Sequence, residues 1–198
     1  TGDAPPMVGK SMIALLEGGK SGVVEPARDA VYSARERHSS SRYNNWGYPQ
    51  RALRSADYLY IRNFHPERWP AGDPQKYGTG EKSEDLSVLG PMHGAYHDID
   101  AGPSLKLLVE HHDDRTLGKF LELAVGKRPA EELYDINTDP DCLKNLAASP
   151  DFARVKRELA SKLETRLRET GAPRATGNGE IFETYPRFSE VRSFPAPE

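Results

Sequence analysis

Several familiar signatures of function are missing from this chain of 198 residues. The single cysteine, Cys142, excludes an internal disulfide and leaves the redox compartment open. No apolar run approaches the length of a membrane span. The 27 basic and 30 acidic side chains give a net charge of −3, without the basic field typical of nucleic-acid-binding proteins. We therefore expect neither a membrane nor a nucleic acid as a partner.

Catalytic and cofactor motifs are also missing. The sequence has no phosphate loop, dinucleotide fingerprint, Gly-x-Ser-x-Gly elbow or zinc-ligand spacing. Cys142 lies in "DPDCLKN" with no base beside it, which argues against a nucleophilic role. The chain opens on "TGD" with neither Met nor a signal peptide, so we expect either processing upstream or a piece of a longer polypeptide. From the residues alone, the chain holds no complete active site.

The clearest strand signal is a hairpin, Ala52–Arg54 and Tyr58–Phe64, with Ser55–Asp57 as its turn. Alternation in the second strand puts Leu59 and Ile61 on one face. The other face carries Tyr58, Tyr60, Arg62 and Phe64, and we expect it to be solvated or to meet another domain. Further strands are predicted at Asp29–Arg37 and Glu132–Ile136.

Helical periodicity predicts one long helix, Pro150–Thr170, capped by Ser149 and ended by Gly171. Its apolar stripe consists of Phe152, Val155, Leu159, Leu163 and Leu167. Shorter helices are predicted at Met7–Gly18, at Ser104–His111, and from Asp113 or Asp114 to about Val125. The span from His65 to Pro103 shows no convincing element, and Arg174–Glu198 is predicted to be extended.

These elements predict an α+β fold, in which a small antiparallel sheet of about four strands packs against the long helix. We divide the chain into an N-terminal segment with a docking helix (1–22), a main unit (23–173) and an extended tail (174–198).

The segment "ARERH" at the end of the first strand is the leading candidate for a binding site. Strand ends commonly carry binding residues, and His38 beside Arg35, Glu36 and Arg37 suits an anion. The same charges equally suit the solvation of a strand end, and spacing alone favours that reading.

Other histidines give weaker signals. His111 and His112 are adjacent and do not share a helix face, so a charged helix end explains them better than a metal site does. His93 and His97 have helical chelate spacing, but the Gly-rich surroundings argue against a helix there. We predict no metal site in this chain.

The segment "ELYDINTDPDCLKNLA", Glu132–Ala147, strongly resembles the C-terminal signature of the sulfatase family. In that family a strand of roughly Glu-Leu-Tyr-Asp-Leu precedes an Asp-Pro turn and an Asn-Leu-Ala step into the last helix. "GDAPPMVGKSMIALLEG" and "YPQRALRSADYLYIRNF" are similar to the family's junction and hairpin. "FHPERWPAGDP" and "YHDIDAGPS" resemble the bacterial branch related to heparan N-sulfatase (sulfamidase).

The resemblance implies the C-terminal subdomain of the alkaline-phosphatase-like sulfatase fold, without the catalytic domain that precedes it. Sulfatases use a formylglycine, made in a Cys/Ser-x-Pro-x-Arg motif, and a calcium ion. Neither the motif nor that domain is present here, because Leu143 and Lys144 follow Cys142. Formylglycine and calcium are therefore expected in a missing N-terminal domain of the same polypeptide, and the isolated chain is expected to be inactive.

The resemblance also implies that the end of the first strand reaches a sulfated sugar. His38 is then the leading substrate contact, with Arg35, Glu36 and Arg37 beside it, of which only some can face the cleft. In the hairpin, Arg51 is the arginine expected to be most open to a cleft.

The implied function is the C-terminal part of a sulfatase that hydrolyses sulfate esters or N-sulfates on a carbohydrate, with this chain supplying cleft wall and specificity. A non-catalytic carbohydrate-binding or protein-interaction module is the alternative, and a phosphodiesterase or phosphatase fragment is a third reading. Relatives of this type are commonly periplasmic, secreted or, in animals, lysosomal, so export is expected.

Overall fold

The computed structural model describes residues 9, 11–74, 95–100, 102–188, 190–194 and 196. The strands are β1 (Val31–Arg35), β2 (Gln50–Arg54), β3 (Tyr58–Asn63) and β4 (Glu131–Asp135). The α-helices are α1 (Ile13–Leu16), α2 (Pro103–Glu110), α3 (Gly118–Val125), α4 (Ala153–Glu169) and α5 (Pro173–Thr176). Short 3-10 helices occupy Tyr43–Asn45, Pro150–Phe152 and Gly179–Glu183.

The strands form one open antiparallel sheet in the order β1-β2-β3-β4. The predicted turn between β2 and β3 is confirmed, and the Ser55 amide donates to the Tyr58 carbonyl oxygen across it at 2.9 Å. The sheet and the helices together agree with the predicted α+β class.

The main core lies between this sheet and α4. Leu53, Tyr60 and Leu133 are cross-strand neighbours, and their side chains pack against Leu163 and Leu167 of α4. The predicted apolar stripe of the long helix is thus confirmed. Burial of such large apolar side chains is the main favourable contribution to a small fold.

The face of β3 that carries Tyr58, Tyr60 and Arg62 is the one that α4 covers. The prediction that this face is solvated or meets another domain is wrong, since Tyr58 and Tyr60 pack in the main core and Arg62 lies 3.8 Å from the carboxylate of Glu164 in α4. Alternation separates the two faces of a strand, but it does not say which face the helix covers when both carry apolar residues.

The long helix begins with the 3-10 turn Pro150–Phe152 rather than as a regular helix. Ser149 is the N-cap residue of this turn, as predicted, but its side chain makes no capping hydrogen bond. At the other end, Gly171 adopts φ +63°, a left-handed conformation that favours glycine and turns the chain into α5.

A second, smaller core forms among the loops and the α2–α3 pair. Tyr96, Leu121 and Val125 are buried there, with Trp69 packed against them. Asp114 Oδ1 accepts hydrogen bonds from the amides of Thr116 and Leu117 at 2.7 and 2.8 Å, and α3 begins only at Gly118. The predicted cap is therefore present, but it precedes a turn and not the helix itself.

The two ends of the chain differ from the predictions. Of the helix predicted at Met7–Gly18, Ile13–Leu16 is helical and mostly exposed, and residues 1–8 and 10 lie outside the described ranges. The tail is not extended throughout, because α5 and the turn Gly179–Glu183 form its first part.

In the described parts of the span 65–103, no regular element precedes α2, as predicted. None of the helices in the described part of the chain is long and apolar enough to cross a membrane.

Candidate functional site

The carboxylate of Asp98 holds together the loop that follows β1. Its Oδ2 accepts hydrogen bonds from Arg35 Nη2 at 2.5 Å and Arg42 Nη2 at 2.7 Å. Its Oδ1 lies 3.2 Å from His38 Nδ1 and 3.1 Å from the Ser39 amide nitrogen. We call these five residues (Arg35, His38, Ser39, Arg42 and Asp98) the Asp98 cluster.

The electrostatics of the cluster favour an ionised Asp98. Burial alone would raise the pKa of this carboxyl, but attraction to Arg42 and its hydrogen bond, together with Arg35 and Ser39, lower the pKa below its ordinary value of 3.8. Burial also lowers the pKa of Arg42, against the opposing attraction of Asp98. Since an ionised carboxylate only accepts hydrogen bonds, the Nδ1 atom of His38 carries the proton in their contact.

The His38 ring stands at the exposed edge of this cluster. Its side chain is 67% exposed, whereas the Asp98 side chain has no solvent exposure. Among the described residues, Nε2 of His38 has no hydrogen-bond partner. The contact with Asp98 therefore fixes one ring nitrogen and presents the other to solvent, the arrangement that a binding histidine needs.

The polar loop after β1 lies inside the protein, although its composition suggests a surface loop. Ser40, Ser41 and Arg42 are at most 2% exposed. Arg42 is anchored by the carbonyl oxygens of Trp69 and Pro70, which accept hydrogen bonds from its Nε at 2.7 Å and its Nη2 at 2.8 Å. Backbone acceptors and Asp98 thus compensate the burial of Nε and Nη2, whereas the buried Nη1 has no hydrogen-bond partner among the described residues.

Glu36 turns away from His38, into an ion-pair cluster with Arg51 and Arg174. Its carboxylate accepts hydrogen bonds from Arg51 Nη2 and, at 2.9 Å, from Arg174 Nη2. Arg51 is only 6% exposed and also donates to the Arg35 carbonyl oxygen at 3.1 Å. The expectation that Arg51 is the arginine most open to a cleft is therefore wrong, because cross-strand pairing places it beside Glu36.

Arg37 belongs to a third cluster, centred on Glu183 of the tail. Its Nη2 donates to Glu183 Oε2 at 3.1 Å, and Arg68 Nη1 donates to Glu183 Oε1 at 2.7 Å. Burial would raise the pKa of Glu183, but Arg68, the Gly47 amide and Arg37 lower it. The tail is thus tied to the first strand and the loops by charge-assisted hydrogen bonds.

The end of the tail lies against residues that neighbour the Asp98 cluster in sequence. The Arg192 amide donates to Ser40 Oγ at 3.0 Å, and Phe194 is 6% exposed with its ring 5.9 Å from that of His97. Arg192 and Ser40 lie 152 positions apart in the sequence, and their contact brings the tail beside the loop that carries His38.

The structure separates the five predicted substrate contacts. His38 is exposed and Arg35 is 34% exposed, and these two share the Asp98 carboxylate. Glu36, Arg37 and Arg51 are engaged in internal ion pairs. The organising residues Asp98, Arg42 and Glu183 escaped prediction from the sequence. For Asp98, the only sequence signal is its place in the family-like stretch "YHDIDAGPS".

The remaining candidates for metal binding or nucleophilic chemistry show no site. Within the described ranges, no group of three or more His, Cys, Asp or Glu side chains is arranged to hold a metal ion. His111 and His112 lie in the turn after α2, and His93 lies outside the described residues. Burial, followed by repulsion from the Asp139 carboxylate, raises the pKa of Cys142. A raised pKa disfavours the thiolate, which is the nucleophilic form of cysteine.

The chain was also compared with known proteins. No protein-family model matches it, and neither does any curated protein.

Proposed function

We propose that this chain is the C-terminal part of a sulfatase that acts on a sulfated carbohydrate, and that His38 and Arg35 form its substrate-facing edge. The single observation that carries the proposal is the exposed His38 ring, held through Nδ1 by the fully buried Asp98. The resemblance assigns a sugar contact to this end of the first strand.

Two further features support the proposal. A small antiparallel sheet crossed by a long helix is the architecture that the resemblance implies, the C-terminal subdomain of the alkaline-phosphatase-like fold. The signature segment begins in β4, whose Leu133 is fully buried in the main core, so this part of the resemblance coincides with a structural centre.

The chemistry of the edge suits a sulfated sugar. Arg35 offers guanidinium donors to anionic sulfate oxygens, and charge-assisted hydrogen bonds of this kind are strong. In the neutral ring, Nε2 of His38 accepts a hydrogen bond from a sugar hydroxyl, and in the protonated ring it donates one to a sulfate oxygen. Because Asp98 binds both side chains, it sets the distance and orientation between the guanidinium and the imidazole.

The role of this chain is to bind and orient, not to supply the nucleophile. Formylglycine and calcium, expected in an N-terminal catalytic domain, would supply the attacking hydrate and stabilise the charge on sulfate. Cys142 does not fit the formylglycine precursor, because Leu143 and Lys144 occupy the positions of the required motif and the thiol pKa is raised.

Two measurements test the proposal at different levels. The open reading frame upstream of Thr1 should encode Cys/Ser-x-Pro-x-Arg in frame; its absence would favour the alternative, a non-catalytic carbohydrate-binding or interaction module.

NMR titration of the chain with sulfated and unsulfated disaccharides tests the substrate-facing edge itself, through the chemical shifts of its amide and imidazole groups. Shifts at Arg35 and His38 specific to the sulfated sugar are expected, and shifts confined to other surfaces would overturn the assignment.

A further inference from the structure

A cavity of about 360 Å³ opens beside α3, separate in its lining from the Asp98 cluster. Its lining includes the aromatic residues Trp69 and Tyr96, the apolar residues Leu121 and Val125, and the polar residues His112 and Glu122. Its volume lies within the roughly 300–1,000 Å³ of typical small-molecule sites. The cavity is therefore large enough to bind a small molecule.

The apolar part of the cavity suits a single ring. The Trp69 and Tyr96 rings meet edge to face, with centroids 6.2 Å apart and planes at 63°. Leu121 and Val125 are 6% and 2% exposed, so they belong to the second core and form a fixed wall. A flat apolar ring can pack against such walls with the geometry that aromatic groups prefer.

The polar groups that line the cavity accept hydrogen bonds. His112 Nδ1 lies 3.0 Å from the Val109 carbonyl oxygen, and since a carbonyl only accepts, Nδ1 carries the proton and Nε2 of the neutral ring is an acceptor. The Glu122 carboxylate is a second acceptor and carries negative charge. The cavity also meets the C-terminal end of α3, where the helix dipole adds partial negative charge.

A cation already lies close to this aromatic pair. The Lys127 ammonium is 5.1 Å from the centroid of the Trp69 ring, a distance at which a cation and an aromatic face attract each other. The indole face, the Glu122 carboxylate and the C-terminal end of α3 thus all attract a positively charged group.

We propose that this cavity binds a small ring compound that carries an ammonium group. The ring packs between the aromatic pair and the wall of α3, and the ammonium hydrogens are donated to Glu122 and to His112 Nε2. This inference does not depend on the sulfatase proposal, because it uses other residues and favours a cationic ligand over an anionic one.

Three probes of similar size and different charge test the inference: benzylamine, benzyl alcohol and benzoate. The chain has two tryptophans, so Trp46→Phe leaves Trp69 as the only indole and makes its fluorescence a local reporter of binding. Calorimetric titration gives the affinity. We expect benzylamine to bind most tightly and benzoate most weakly. Equal affinities, or no change in Trp69 fluorescence at saturation, would overturn the proposal.

Exposed side chains allow matched variants that keep the fold. Glu122→Gln should weaken benzylamine binding roughly three- to fivefold, the range for an exposed ion pair, and leave benzyl alcohol unchanged. Glu158→Gln, on the exposed side of α4, is the control and should change neither. Lys127→Ala should tighten benzylamine binding, because it removes a competing cation from Trp69. Unchanged benzylamine affinity in Glu122→Gln would contradict the assigned contact.

Discussion

The Nδ1 atom of His38 lies 3.2 Å from Oδ1 of Asp98, which joins a largely exposed ring to a fully buried carboxylate. Sixty positions separate the two residues in the sequence. Arg42 and Arg35 bind the other oxygen of the same carboxylate. One acidic side chain therefore fixes the geometry of the candidate edge and also neutralises a buried arginine.

The first prediction concerns Asp98 and stability. Asp98→Asn leaves Arg42 buried without its counter-charge, and we expect the free energy of unfolding to fall by about 3–5 kcal/mol. Urea denaturation at pH 7 measures the change. Asp100→Asn is the matched control, because Asp100 is exposed, and it should stay within about 0.5 kcal/mol of wild type.

The second prediction is a dependence of stability on pH. The pKa of Asp98 is lower in the folded chain than its ordinary value of 3.8, so the unfolded chain takes up the proton first as pH falls. The contribution of Asp98 is fully present above that value and is lost as pH drops through the folded pKa. Urea denaturation between pH 6 and pH 3 should show stability falling below about pH 4, and a shallower fall in Asp98→Asn; parallel curves would contradict this.

The sequence predicts those parts of the fold that local patterns determine. Leu163 and Leu167 lie on the buried stripe that their spacing predicts, and the turn at Ser55–Asp57 follows from the two runs beside it. Helix periodicity and strand alternation are properties of neighbouring residues, so a short window of sequence contains them.

The candidate site could be predicted only in part, because it depends on contacts between distant segments. The place of His38 at a strand end predicts a binding role, but its contact with Asp98 and the burial of Arg42 depend on packing across about sixty residues. The neighbouring sequence of Arg51 does not show that Glu36, at the end of β1, lies beside it. The sequence gives the number of acidic and basic side chains, but only the fold determines which of them form ion pairs.

The third prediction concerns a buried tyrosine in the main core. Tyr60 donates a hydrogen bond to Glu131 Oε1 at 2.6 Å, and this bond is the largest cause of the lowered pKa of Glu131. Tyr60→Phe should therefore raise the pKa of Glu131, as measured by carboxyl ¹³C NMR titration. Tyr58→Phe, on the same face of β3, should leave that pKa unchanged. If both variants give the same pKa, the hydrogen bond does not have the assigned effect.

The fourth prediction concerns activity. The purified chain should not hydrolyse a chromogenic aryl sulfate, because it contributes binding groups and Cys142 lacks the motif for conversion to formylglycine. The assay should use excess calcium, so that metal supply does not limit the rate. Turnover that rises in proportion to chain concentration, and that persists in Cys142→Ala, would show catalytic residues elsewhere in this chain and contradict the proposed division of roles.

The most direct test of the central claim measures kcat/KM for a sulfated saccharide in the complete polypeptide that the gene encodes. His38→Ala is compared there with His111→Ala, an exposed histidine far from the strand end in sequence. If His38 contacts the substrate, its removal should lower kcat/KM about tenfold or more, the effect of losing a hydrogen bond to a charged group, and His111→Ala should change nothing. Equal kcat/KM values for wild type and His38→Ala would contradict the proposed substrate edge.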